Sequence, residues 1–140
     1  MAIQPSLSYE WYVPDRIYIV YPVGVFTPHW LEVMEAHLLD MLHEPHRTQP
    51  VHMIFDASQV HFDHFLVMRH LERCSAHLYR EPLTASILTV TGMNRFYSFI
   101  ANTMSQMLAR KPHQGRAMRT LNEAIRFALY IDSTLPPMNV

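Results

Sequence analysis

The chain lacks the sequence features that usually indicate a disulfide framework, a nucleic-acid-binding surface or a membrane span. Cysteine occurs once, as Cys74, and lysine once, as Lys111. A single cysteine cannot form an internal disulfide, which suits a reducing compartment. The net charge of -1 lacks the basic excess of nucleic-acid-binding proteins, so we expect no nucleic acid as a partner. No apolar run reaches the ~20 residues that span a bilayer and no N-terminal signal pattern is present, so we expect a cytoplasmic protein without membrane insertion.

Hydrophobic residues are abundant enough for one well-buried core. They make up 49% of the 140 residues, whereas charged residues make up only 16%. This length is typical of one domain, so we predict a single domain over residues 1–140, with residues 136–140 as a loose tail after the last helix. The charged fraction is below the usual value of about 25%, which favours an additional buried surface such as a self-association face.

Strand-like and helix-like patterns alternate along the chain. Apolar and β-branched runs predict strands at 8–13, 16–21, 51–56, 84–91 and 116–119, and three- to four-residue apolar spacing predicts helices at 28–43, 63–80, 94–110 and from 120 onward. Pro14 and Asp15 between the first two strands predict a hairpin. The later alternation predicts crossover connections and therefore a mostly parallel sheet of the α/β class.

Two short motifs add a family resemblance to this element order. The run Asp56-Ala57-Ser58-Gln59-Val60 looks like an Asp-x-Ser-x-Val turn, and Thr120–Phe127 looks like a closing helix with a Ser-x-x-Glu-Ala motif. Together they resemble the STAS domain, the fold of the bacterial anti-sigma-factor antagonists and of the cytoplasmic tails of sulfate transporters. The resemblance implies a STAS-like, mostly parallel sheet with an N-terminal β-hairpin and four helices. It also implies a regulatory or protein-interaction module that is not an enzyme and carries no cofactor.

The sequence departs from that family at its regulatory serine. In the antagonists an Asp-Ser pair at the start of the next helix carries the phosphorylation switch. Here the pair falls on His64-Phe65, or on Asp63-His64 if one residue is deleted. Neither alignment supplies a hydroxyl group, so the added phosphate charge on which such a switch depends has no acceptor. We therefore expect an interaction module without the serine switch.

The turn after the third strand is the first candidate site. Polar and titratable side chains cluster there at Asp56, Ser58, His61, Asp63 and His64. We predict that these residues contact a protein partner. A carboxylate beside a histidine can also perform general acid–base chemistry if both face one pocket. In the third interpretation Asp56 and Ser58 satisfy the turn backbone and Asp63 caps the helix.

A second candidate site follows the next strand. Thr91, Asn94 and Arg95 lie where a strand gives way to a helix through Gly92, a place where free N–H groups and the helix dipole favour an anion. These residues are the predicted site if the protein binds a small ligand, either an anion or an apolar molecule. The alternative is that Asn94 is an ordinary helix cap, since no glycine-rich phosphate motif is present.

A third cluster combines potential metal ligands. His70, Cys74 and His77 follow one another at spacings of four and three along one predicted helix. They are suitable ligands for zinc, but a structural site needs four ligands and a catalytic site three. Cys74 also lies between Leu71 and Leu78, where cysteine usually acts as a small core residue. We predict no metal site.

The hairpin is rich in aromatic residues, which are common at interfaces. These are Trp11, Tyr12, Tyr18 and Tyr21. An edge strand must be protected from pairing with foreign strands, and pairing with a second copy would provide that protection. We therefore expect a homodimer.

Overall fold

Six strands and four helices alternate in the part of the chain that the structure describes. This computed structural model describes residues 4–62, 65–93, 95–109 and 114–136. The strands are β1 (Ser6–Val13), β2 (Ile17–Phe26), β3 (Val51–Asp56), β4 (Val60–Phe62), β5 (Thr84–Val90) and β6 (Gly115–Met118). The helices are α1 (Pro28–Leu42), α2 (Phe65–Arg80), α3 (Arg95–Leu108) and α4 (Leu121–Ile131), and a single 3₁₀ turn covers Ala57–Gln59.

The strands form one sheet in the order β1-β2-β3-β5-β6, with β4 paired to the far end of β2. β1 and β2 are antiparallel, and every other pair is parallel. This arrangement confirms the predicted hairpin and mostly parallel sheet. The crossover connections leave β3 between β2 and β5, in the middle of the sheet.

The strand β4 and the second half of β2 were not predicted. Pro22 and Gly24 interrupt the β-forming pattern, so the sequence suggested an end at Tyr21. In the structure β2 pairs with β3 up to Val20 and then with β4 from Gly24 onward. Pro22 therefore lies between the residues that pair with β3 and those that pair with β4. At this position its missing N–H removes no hydrogen bond from either of these two pairings.

Alternation along β3 sends its side chains to two different cores. Val51, Met53 and Phe55 join the core beneath α1 and α2, whereas Ile54 joins the core beneath α4. All four are buried. Leu135, the residue just before the predicted tail, is buried in this second core. Pro136, the first residue of the predicted tail, is exposed, and 137–140 lie outside the described residues.

Residues at the first turns of α1 and α4 explain where these two helices begin. Pro28 occupies the first turn of α1, where its missing N–H has no intrahelical acceptor to lose. At the start of α4 the Thr120 hydroxyl accepts the Glu123 N–H at 3.1 Å, and the Glu123 carboxylate accepts the Arg119 N–H at 3.3 Å. Thr120 is therefore the N-cap of α4, and Glu123 binds the residue just before this cap. No helix among the described residues has both the length and the apolar character to cross a membrane.

Aromatic side chains fasten the hairpin to α1. The rings of Tyr9 and His37 stack with centroids 3.7 Å apart, and the Tyr18 hydroxyl lies 2.7 Å from His37 Nε2. The Arg47 guanidinium lies 4.7 Å from the centre of the Trp11 ring. The two faces of the hairpin therefore differ from each other: one packs on α1, and the other carries the exposed residues of β1.

Gly115, the first residue of β6, allows α2 and α3 to approach the sheet. A Cβ atom at this position would contact the Tyr79 hydroxyl and lie 2.8 Å from the Ser105 carbonyl oxygen. Overpacking of this kind costs roughly 1–3 kcal/mol. We expect Gly115→Ala to lower the free energy of unfolding by about that amount, measured by urea denaturation. Adding Tyr79→Phe removes the nearest atom, so the double variant should lose less than the sum of the two single losses. A Gly115→Ala protein as stable as the parent would contradict this account of the packing.

Candidate functional site

An apolar pocket lies between the sheet and the helices on the α1–α2–α3 side. Its floor includes Phe55 from β3 and Thr89 from β5, and its walls include Leu71 of α2 and Met104 of α3. Its volume is about 80 Å³. Because β3 and β5 are parallel neighbours, the residues just after them also reach the pocket, namely Ala57 and Thr91. The pocket therefore lies at the carboxyl edge of the sheet, where open α/β sheets usually place ligands.

The polar groups of this pocket are hydroxyls. Ser75, Tyr79, Thr89, Thr91 and Ser105 line it, and none of the described lining residues is charged. The Tyr79 hydroxyl donates to the Ile87 carbonyl at 3.4 Å, and burial raises the pKa of Tyr79 to about 12. The pocket is thus an uncharged space with a few groups able to orient a guest molecule.

The predicted partner site at the β3 turn has a local structural role. Asp56 Oδ1 accepts the Ser58 N–H at 3.2 Å and the Ser58 hydroxyl at 2.6 Å. These two bonds begin the 3₁₀ turn, as in the interpretation where both residues satisfy the turn backbone. Ser58 remains exposed, and so does His61 on β4. Asp63 and His64 lie outside the described residues.

The two candidate sites that are separate in sequence are adjacent in space. A Cβ atom on Gly92 would lie 3.5 Å from Ser58 Cβ, because the loops after β3 and β5 leave neighbouring strands. The N–H groups of Thr91 and Gly92 donate to the carbonyls of Met118 and Arg119 at 2.9 and 3.1 Å. These two donors are therefore engaged with the end of β6 and not directed at an anion. Asn94 lies outside the described residues, as does the side chain of Arg95 at the start of α3.

Two members of the third cluster, Cys74 and His77, contact a carboxylate on another helix. The Cys74 thiol donates to Glu35 Oε2 at 3.1 Å, and His77 Nδ1 lies 2.5 Å from Glu35 Oε1. Burial and the Glu35 carboxylate raise the pKa of the Cys74 thiol to about 12. Burial opposes ionisation of Glu35, but the hydrogen bonds from His77 and Cys74 outweigh it and lower the Glu35 pKa. The cluster thus joins α1 to α2, and no group of three metal ligands with suitable geometry occurs among the described residues.

A Ser–His–Asp arrangement that the sequence did not reveal lies on the opposite side of the sheet. His52 Nδ1 is 2.7 Å from Ser86 Oγ, and His52 Nε2 is 2.8 Å from Asp132 Oδ2. Arg16 also donates to Asp132 Oδ2 at 2.7 Å. Ser86 is fully buried, with 0% exposure. Its hydroxyl cannot reach a substrate, so this geometry fastens the amino ends of the strands to the segment after α4. Sequence spacings of 34 and 80 residues explain why no local pattern indicated it.

Both titratable members of this network have shifted pKa values. Burial lowers the pKa of His52, and the neighbouring Asp132 only partly offsets that effect. Burial opposes ionisation of Asp132, but hydrogen bonds from His52 and Thr134 outweigh it and lower the Asp132 pKa to about 2. In both cases the unfolded chain binds a proton more readily than the folded chain. Stability is therefore lost as the pH falls, first below the ordinary histidine pKa of about 6.5 and then from about 3.9 down to 2.

We expect His52→Gln to flatten the decline of melting temperature with falling pH between about 7 and 5, because the variant removes one buried group that must otherwise take up a proton. The measurement is the slope of melting temperature against pH, since the amide also changes the stability at neutral pH. His29→Gln is the matched control, because His29 is exposed on α1. Equal slopes for the parent and His52→Gln would show that His52 does not contribute.

The comparisons with known proteins bear on the fold. No family model matches the chain, and no curated protein matches it. One solved structure similar to it is an uncharacterized protein from the DUF3478 family with a SpoIIAA-like fold, from Shewanella loihica PV-4. The two share 10% identity with a TM-score of 0.62, over 89% of this chain and 93% of that one. The resemblance to the STAS family predicted from the sequence is thereby confirmed for the fold: this chain has a SpoIIAA-like, STAS-like α/β fold.

Proposed function

We propose that the protein is a non-enzymatic binding module that holds a compact, uncharged, apolar molecule. The observation that carries this proposal is the pocket beneath the β3 turn. An apolar guest gains about 25 cal/mol for each Å² of surface that it removes from water. A charged guest would lose its hydration without meeting a counter-charge among the described lining residues. A cytoplasmic location stays a prediction from the sequence.

The pocket hydroxyls support a guest with one hydrogen-bonding group. Ser75 on α2 and Thr89 on β5 contribute hydroxyl groups from a helix and from the sheet, so a single donor or acceptor on the guest has candidate partners on both. The Thr91 hydroxyl already donates to the Met118 carbonyl at 3.2 Å, which leaves its oxygen as an acceptor. Aliphatic side chains surround these groups, as in most sites for small molecules.

A second proposed function is the regulatory interaction predicted from the sequence, with an unidentified protein partner at the β3 turn. The position of the turn favours it. Ala57 lines the pocket, whereas Ser58 and Gln59, which follow immediately, are exposed. A guest that shifts Ala57 would therefore shift the exposed residues that a partner contacts. The pocket and the proposed partner surface thus lie at the same edge of the sheet, one beneath the turn and the other on its exposed side.

The pocket is tested by filling it. We expect Ser75→Leu to weaken binding of xenon, an uncharged apolar probe small enough for this pocket, by roughly tenfold or more, because the added carbon atoms occupy the space of the guest. The measurement is an NMR titration with xenon. Ala36→Leu adds similar apolar bulk at an exposed position of α1 and should bind the probe like the parent. If Ser75→Leu binds the probe with the affinity of the parent, the pocket is not the binding site.

The partner surface is tested by a charge change outside the pocket. We expect His61→Glu to reduce capture of a partner protein from extracts of the source cells, because it places a carboxylate on the exposed face beside the turn. Its probe binding should stay that of the parent, since His61 does not line the pocket. His29→Glu makes the same change at an exposed position on α1 and should capture the partner normally. Equal capture by all three proteins would contradict a partner surface at His61.

A further inference from the structure

β1 is the long open edge of the sheet. It has eight residues, and among the described residues it pairs only with β2. The opposite edge, β6, has four residues. An open edge offers a row of backbone donors and acceptors to any strand that can pair with it. β1 is therefore the part of the described sheet with the greatest capacity for strand addition.

The segment Ser6–Tyr12 lacks the features that usually prevent such pairing. It contains no proline and no lysine, and Glu10 is its only charged residue. The irregularity in its register lies at one end, between Trp11 and Val13. Tyr12 leaves 43% of its surface exposed at that end. Natural edges are blunted by prolines, lysines or central bulges, so this segment resembles a strand that has a partner.

We propose that two copies of this chain pair antiparallel through β1, with Tyr9 on a two-fold axis perpendicular to the sheet. Such an axis keeps both faces of the sheet continuous, so opposed residues lie on the same face. The exposed face would place Ser8 opposite the partner's Glu10. The half-buried face would place Leu7 opposite the partner's Trp11. Both are favourable cross-strand pairs, one hydrogen-bonding and one apolar.

The alternative two-fold registers are poorer. Centring on Glu10 places two carboxylates directly opposite each other, which is unfavourable. Centring on Ser8 places Trp11 opposite the partner's Pro5, where a strand residue has no N–H to donate. Only the register centred on Tyr9 pairs the whole segment Ser6–Tyr12 without a like-charge contact. The self-complementarity of this sequence is the reason for choosing a second copy as the occupant.

The experiment compares two opposite charges at one exposed position. In the proposed register Ser8→Glu creates a like-charge pair with the partner's Glu10 twice per dimer, and Ser8→Lys creates an opposite-charge pair twice. We expect the parent to form dimers in analytical ultracentrifugation at micromolar concentrations. Ser8→Glu should raise the dimer dissociation constant by roughly tenfold, and Ser8→Lys should leave it unchanged or lower it. The difference between the two variants should shrink in high salt.

Each outcome supports or overturns the proposal. A parent that is monomeric throughout the concentration range overturns it. Equal weakening by both substitutions overturns the register, because charges of either sign repel when Ser8 faces its own copy. Far-UV circular dichroism and melting temperature establish that both variants fold. Probe binding in the pocket should be the same in all three proteins, so failure of the dimer leaves the proposed ligand-binding function standing, and failure of the pocket leaves the dimer standing.

Discussion

β3 is buried on both of its faces, and this burial sets the positions of the elements around it. Val51–Phe55 is buried from end to end, so successive side chains enter opposite cores. That alternation puts Phe55 in the pocket floor, whereas Asp56, the next residue, does not line the pocket. A shift of one residue would reverse every such assignment. The register of one strand therefore decides both where the pocket lies and which groups the following turn exposes.

The carboxyl edge of the sheet combines the pocket with the two loops that the sequence had marked separately. Parallel pairing of β3 with β5 brings the Asp56–Ser58 turn against Gly92. Asp56 Oδ1 accepts two hydrogen bonds from Ser58, and the turn that they begin lies beside the apolar pocket. The side chains that line this pocket are apolar apart from a few hydroxyl groups.

Among the described residues, the buried Arg47 and the half-buried Arg16 and Asp132 form ion pairs between elements that are distant in sequence. Arg47 is bound by Asp15 at 2.9 Å and by the Met41 carbonyl at 2.8 Å, and it lies over Trp11. Asp132 joins His52 and Arg16 at the amino ends of the strands. A buried charge that loses its partner is costly, so each pair favours one arrangement of its elements over others. These pairs hold the hairpin and the last helix at the end of the sheet opposite the pocket.

The amino-acid sequence was enough to predict the order of the main elements, the mostly parallel sheet and the turn at Asp56, because apolar periodicity, Pro28 and the Thr120 cap act within a few residues. It did not determine β4, whose pairing depends on the distant end of β2. Nor did it show that Cys74 and His77 both meet Glu35, or that Ser86, His52 and Asp132 align. The sequence also did not reveal the pocket, because the residues that line it come from elements spread along the chain. These features become visible only in the folded chain, since each arises from contacts between residues that no local pattern relates.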